Sequence, residues 1–403
     1  MMRPWSTGKV FLIMVAVALG VGLVYLAGTR PMDERAPMPV AITYPQIGGW
    51  EEDDHSAAFA AFLRSCARIV KVEEARSSAG KGTHDPHPLI DICRAALALG
   101  KNVDSESARA FFETRFTPHR YRSDGSSGFV TGYYEPELKG SRTKSDRFSV
   151  PVLKVPEDLV QLFPDSERAM RNHEMTAGRE TSDGVVPYYD RKEIEQGALA
   201  GRGLEILYLE DWADAFYMHI QGSGRVALDE GGFVSLSYAA KNGYSYTAIG
   251  KLLIERGAIS REEMSMDAVR AWLEANGQEA RKLMWENRSY IFFSELPAGK
   301  AASGPIGSQG VALTPLRSLA VDTSIHSFGT PLWVNAPDLD VHGHSGFSGL
   351  MIAQDAGSAI KGAQRGDIFF GSGAAAGDRA GVVRHEAEFI ILLPNGASSG
   401  SGS

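Results

Sequence analysis

Leu350-Met351-Ile352-Ala353-Gln354-Asp355-Ala356-Gly357 is the stretch on which the fold turns. Residues 350–354 form a short run free of Pro and Gly, as in a buried strand, and it leads directly into Asp355 and turn formers. Ala320-Val321-Asp322 ends a second such strand, and Gly366-Asp367-Ile368 opens a third. Carboxylates carried to the edges of neighbouring strands can share one pocket, where burial or like charge keeps one of them protonated near neutrality. A protonated carboxyl is what the leaving oxygen of a glycosidic bond requires. Taken singly, an Asp at a strand end more often hydrogen-bonds turn backbone.

Working outward, residues 290–293, 318–321, 332–334, 367–370 and 389–393 read as further strands of the same region. Gly128 to Pro136, then 150–155, 204–209 and 215–221, read as short strands of an earlier one. Between the two regions, helical periodicity is found at 246–256, stopped by Gly257, and at 266–276, stopped by Gly277. Residues 56–116 are helical, the third helix starting at Asp104 as N-cap. Residues 31–55, with Pro31, Pro37, Pro39 and Pro45, read as a linker. Gly396 to Ser403 contains only Gly, Ala and Ser and reads as a flexible tail. The fold class expected is mainly β with helices.

The chain has 403 residues with a formal charge of -8, 43% hydrophobic and 22% charged, which excludes a wholly disordered or collagen-like chain. Arg3, Lys9 and Arg30 are the only charges among the first thirty residues, so the remainder is more acidic still, and nucleic acid is not an expected partner. Residues 10–27 carry no charge and would span about 27 Å as a helix, close to a hydrocarbon core of about 30 Å. Arg3 and Lys9 before it keep the N-terminus cytoplasmic and export the body. Residues 1–30 are therefore expected to be an anchor in the inner membrane, with a cleaved signal segment as the alternative. Cys66 and Cys93 lie on apolar helical stripes, and in an exported protein they are expected to form a disulfide. His84, His87 and His342-Gly343-His344 make no metal-binding pattern. No phosphate loop or nucleophile elbow is present, and neither metal nor cofactor is expected.

Several motifs in order resemble one family. Ser318-Leu319-Ala320-Val321-Asp322, Gly329-Thr330-Pro331-Leu332-Trp333-Val334, Ala353 to Gly362 and Gly366-Asp367 resemble the three-aspartate (3D) domain. Thr131-Gly132-Tyr133-Tyr134-Glu135-Pro136, Tyr188-Tyr189-Asp190-Arg191, His219-Ile220-Gln221-Gly222-Ser223-Gly224-Arg225 and the stretch Asn287 to Phe293 resemble the membrane-bound lytic murein transglycosylase A family. The resemblance implies a split double-psi β-barrel, residues 56–136 with 289–395, and a smaller β-barrel domain inserted at 137–288. A groove between them would bind peptidoglycan glycan strands.

It also implies a reaction. Asp355 would protonate the leaving oxygen of the β-1,4 bond after N-acetylmuramic acid. It would then take the proton of that sugar's own C6 hydroxyl as a 1,6-anhydro ring closes. Intramolecular attack makes a second carboxylate unnecessary. Asp322 and Asp367 read as supporting carboxylates. Thr131, Tyr133, Tyr134, Glu135, Gln221, Gly222, Ser223, Gly224 and Lys361 are the candidate substrate-binding residues. Tyr133 and Tyr134 alternate along a strand, so one of the two is expected in the groove. Two other readings remain open: a non-catalytic peptidoglycan-binding protein, and a hydrolase pairing Asp355 with Asp367 or Asp322.

Overall fold

The computed structural model describes residues 39–78, 85–121, 127–163, 175–297, 304–341 and 346–396. The expected anchor at 1–30, His84, His342, His344 and all but the first residue of the tail lie outside them. No helix among the described residues is long and apolar enough to cross a membrane.

One sheet closes on itself. Strands β3 (Gly128–Glu135), β13 (Ser318–Val321), β14 (Pro331–Ala336), β15 (Phe347–Ala356), β16 (Arg365–Ser372) and β17 (Arg384–Pro394) pair in the ring order β3-β17-β14-β15-β13-β16. Two further strands, β1 (Pro39–Ala41) and β2 (Phe116–Tyr121), extend the sheet beyond β17. Closure removes the exposed edges that short strands otherwise leave. The barrel interior is filled by Leu319, Val321, Leu332, Val334, Met351, Ala353, Ile368 and Phe389.

Three helices cover one side: α1 (His55–Ser78), α2 (Ile90–Leu99) and α3 (Ser105–Arg115). Asp104 caps α3, its side chain accepting from Ser107 N–H at 2.8 Å. Phe59, Phe62, Phe111, Phe112 and Phe116 pack edge to face beneath them, against Trp333 and Ile352 of the barrel. Cys66 of α1 and Cys93 of α2 are bonded, their Cα atoms 4.7 Å apart.

The folded unit begins earlier than a linker over 31–55 would allow. Val40 pairs with Arg120, and Ile47 and Trp50 are buried in the helical core. The proline-rich composition that suggested a linker instead starts a helical turn, Tyr44–Gln46, which has Pro45 in its first turn.

The polypeptide leaves the barrel at Pro136. Strands β4 (Glu137–Ser141), β5 (Val150–Leu153), β9 (Glu205–Leu209), β10 (Ser223–Leu228), β11 (Phe233–Lys241) and β12 (Ile291–Glu295) form a second, six-stranded sheet in the order β12-β11-β10-β4-β9-β5. Strands β6 (Leu159–Gln161), β7 (Ala177–Thr181) and β8 (Gly184–Pro187) make a small third sheet. Because β12 pairs with β11, the insert runs to Glu295, and the expected return at 289 is too early.

Helix α4 (Trp212–Gln221) packs on this sheet through Ala215 and Met218, and α5 (Ile249–Glu255), α6 (Met266–Ala275) and α7 (Gly277–Glu286) pack against its Phe216 and Tyr217. Two readings are corrected here. Residues 215–221 are helix, not strand: Asp211 caps α4 through the N–H groups of Ala213 and Asp214. Gly277 ends α6 but also opens α7, with φ of +45°.

Candidate active site

The closed barrel brings two of the three aspartates to one face. Ala320, central in the short β13, is paired with Asp355 on one side and Asp367 on the other. Paired residues project to the same face, so the two carboxylates flank a methyl group, with their Cα atoms about two strand spacings, or 10 Å, apart. Asp367 is paired in turn with Thr131, and Phe369 with Tyr133, which extends the same face onto β3.

A bulge aims Asp355. Leu319 pairs with Ala353 but Ala320 pairs with Asp355, leaving Gln354 as the extra residue of β15. Gln354 is fully buried. Its amide donates to Ala61 O at 2.8 Å and Ser65 Oγ at 2.9 Å on α1, and its oxygen accepts from Ser318 Oγ at 2.6 Å. The bulge leaves Gln354 and Asp355 on the same outer face of the barrel, Gln354 held against α1 and Asp355 beside Ala320.

The Asp355 carboxylate is half-buried and its two oxygens differ. Oδ1 accepts from Ser308 N–H at 2.8 Å, Ser308 Oγ at 2.7 Å and Ala356 N–H at 2.9 Å. Oδ2 accepts from Tyr133 Oη at 2.9 Å. Burial, and next the Asp355 charge, push the Tyr133 hydroxyl well above its ordinary range, so it stays a neutral donor.

Asp367 is half-buried as well. Its Oδ1 accepts from Thr131 Oγ1 at 2.6 Å, and Arg365 Nη2 donates to the same hydroxyl at 2.7 Å. Burial pushes the Asp367 carboxyl up to about 6 against the pull of Thr131 and Arg365, the Asp355 charge adding to the rise.

Asp322 does different work. It is buried, and burial alone would raise it. The N–H of Gly362 at 2.9 Å and the hydroxyl and N–H of Ser324 at 2.7 and 3.1 Å outweigh that and hold it below the usual carboxylate range. Lys361 Nζ lies 3.7 Å from its Oδ1. Asp322 therefore clamps its own turn to the Lys361–Gly362 loop, with Lys361 paired to it.

The remaining candidates divide between face and frame. Thr131 and Tyr133 join the carboxylate face. Tyr134 points the other way, its ring packed where a Cβ on Gly377 would come within 2.8 Å. Its N–H donates to Gln221 Oε1 at 3.1 Å, tying the end of α4 to β3. Glu135 is buried and accepts from Ser372 Oγ at 2.6 Å. Gly222 closes α4 with φ of +75°, a conformation that favours glycine. Ser223 and Gly224 continue into β10 paired with Ser237 and Leu236, and Gly224 lies against Met218.

Reasoning from sequence missed Ser308, Arg365 and the bulge at Gln354. The one trace of the first was the turn-rich run Gly304-Pro305-Ile306-Gly307-Ser308-Gln309-Gly310.

Comparison with known proteins agrees with this layout. The MltA specific insert domain matches residues 129–294, and the 3D domain matches 317–393. A membrane-bound lytic murein transglycosylase A of Vibrio cholerae is 41% identical over 203 residues, 48% of this chain and 53% of that protein, so the match takes in about half of that relative. The protein of the same name from Escherichia coli K12 is 34% identical over 307 residues, 72% of this chain and 74% of its own. Among solved structures, a membrane-bound lytic murein transglycosylase from Agrobacterium tumefaciens superposes with a TM-score of 0.77 at 37% identity, covering 88% of this chain and 97% of that one. E. coli MltA with bound chitohexaose gives 0.63 at 27% identity, covering 91% and 98%. The chain belongs to the membrane-bound lytic murein transglycosylase A family.

Proposed function

We propose that the chain is a peptidoglycan lytic transglycosylase that uses Asp355 as its single acid and base. In this reading protonated Asp355 donates to the leaving oxygen as the C1–O bond of N-acetylmuramic acid breaks. The resulting carboxylate takes the proton of the C6 hydroxyl as C6–O attacks C1. The enzyme returns to its starting protonation state, and the glycan gains a 1,6-anhydromuramoyl end. Asp355 with one oxygen fully engaged and the other facing, among the described residues, one neutral hydroxyl is the observation that carries the reading. A glycan substrate is supported by the chitohexaose bound to the E. coli relative.

The substrate sets the location. The relatives are named membrane-bound, and the uncharged stretch at residues 10–27 supports a body on the periplasmic side held to the inner membrane.

Asp367 favours a second reading. A carboxyl titrating near 6 on the face of Asp355 has the protonation behaviour of a general acid, as a two-carboxylate hydrolase requires. Product analysis separates the readings. Purified sacculi treated with the enzyme should yield anhydro ends; free reducing ends would favour the hydrolase, and binding without release would leave a peptidoglycan-binding protein.

A further inference from the structure

We propose that the turn holding Ser308 divides the two oxygens of Asp355 between separate tasks, Oδ1 as a fixed anchor and Oδ2 as the proton carrier, with Ser308 as the positioning residue. The proposal rests on the lytic reading above.

Oδ1 faces two backbone N–H groups, of Ser308 and Ala356, that can only donate. The Ser308 hydroxyl adds a third donor. An oxygen receiving three hydrogen bonds is a poor place for a proton, because protonation there would set donor against donor. The proton belongs on Oδ2, whose one hydrogen-bond partner among the described residues, the Tyr133 hydroxyl, can either donate or accept. When Oδ2 is protonated it donates to the leaving oxygen while Tyr133 turns its own hydrogen away. When Oδ2 is ionised Tyr133 donates to it, until the C6 hydroxyl supplies the next proton. No group beyond substrate and enzyme is needed for the proton balance.

The turn is built to stay in place without the Ser308 side chain. Gly307 N–H donates to Val311 O at 3.0 Å and Gly310 N–H to Gly307 O at 2.8 Å. Gln309 N–H donates to Gln354 O at 3.1 Å, and Gln309 Oε1 accepts from Ser65 Oγ at 2.7 Å on α1. The close approach needs glycine at 307, where a Cβ would meet Gln354 O at 2.7 Å and lie 3.3 Å from Asp355 Cγ. Ser308 itself is exposed, so its hydroxyl has little packing role. Ser65 of α1, which accepts from the Gln354 amide, also donates to Gln309, so the bulge and the turn that hold Asp355 share one support.

The test uses the full chain with Ser308→Ala, Ser308→Thr and Asp355→Asn, assayed on soluble peptidoglycan glycan strands for kcat and KM, with unfolding midpoints alongside. A hydrogen bond to a charged group is worth about 1.5–3 kcal/mol, so Ser308→Ala should lower kcat by roughly 10- to 100-fold. Its KM should stay within about twofold, and its unfolding midpoint should fall by no more than the loss of one exposed hydrogen bond explains. Ser308→Thr should recover most of the rate. Asp355→Asn inactive with Ser308→Ala at the wild-type kcat overturns the proposal and spares the lytic reading. So does a rise in KM alone, or a folded Ser308→Thr as slow as the alanine variant. An active Asp355→Asn overturns both.

Discussion

Asp367 and Asp322 differ at the scale of single residues, although both are carboxylates at strand edges of one barrel. Asp367 has a folded pKa of about 6 against an ordinary 3.8. The folded state therefore binds this proton more tightly than the unfolded one. Stability is unaffected below about pH 4, falls as pH rises through the window from about 4 to 6, and stays lower above it. Asp367→Asn keeps an acceptor for Thr131 and cannot ionise. At pH 7 it should be more stable than wild type by up to about 3 kcal/mol, with the gain gone near pH 4. Urea unfolding at the two pH values checks this, and an equal effect at both would count against it. Asp322 has the opposite sign. Its depressed pKa contributes stability above the unfolded value, and that stability is lost as pH falls through the folded one. Asp322→Asn should lower the unfolding midpoint at pH 7 and leave less of a deficit in acid.

At the scale of elements, the helical layer and the barrel strands read differently from sequence. Ser318–Val321 is found where expected because a short apolar run stopped by Asp is too short for a helix and fits a buried strand. Cys66 and Cys93 were placed by helical stripes, and the two helices lie against each other. Their bond closes a loop worth roughly 3.5 kcal/mol in the chain-entropy model. Cys66→Ser with Cys93→Ser should lose about that much, and thiol labelling of denatured, unreduced protein should find no free cysteine. Two labelled thiols would show that the bond is not made.

Elsewhere local pattern and outcome part. Ala215 to Gln221 carries Phe216, Tyr217 and Ile220, residues that favour strands, yet the Asp211 cap and the apolar bed of Leu253, Val269 and Leu283 make it a helix. The helix α8 (Ala374–Gly381), rich in Ala and Gly, left no periodic apolar signal at all. The carboxylate face was legible in part: Asp355 and Asp367 stand at strand edges in the sequence and share it, whereas Asp322, read alongside them, holds its own turn to Gly362. The Ser308 turn was not, because its role depends on a contact spanning 47 residues that no local pattern encodes.

For the whole molecule, hydrogen bonds tie the insert to the barrel. Pro136 O accepts from Arg225 N–H at 2.8 Å, and Gln221 caps the Tyr134 N–H. Gln221→Ala removes one of these ties from the back of β3 while leaving the carboxylate face intact. It should lower the stability by about 1 kcal/mol and weaken glycan binding more than it slows turnover. Chitohexaose titration with parallel rate measurements checks this, and an unchanged affinity would place Gln221 outside the binding frame. On the cell, protease added to spheroplasts should digest the body, and protection of the body would reverse the proposed topology.

The central claim is that Asp355 alone moves the proton. Asp355→Asn retains size and hydrogen-bonding shape but carries no transferable proton, and its most direct measurement is mass spectrometry of the fragments it releases from purified sacculi. With chitohexaose affinity and unfolding midpoint near wild type, anhydromuropeptide release should fall by at least about a hundredfold, the lower range for general acid–base catalysis. A folded, glycan-binding Asp355→Asn that releases anhydro fragments at near the wild-type rate would contradict the account.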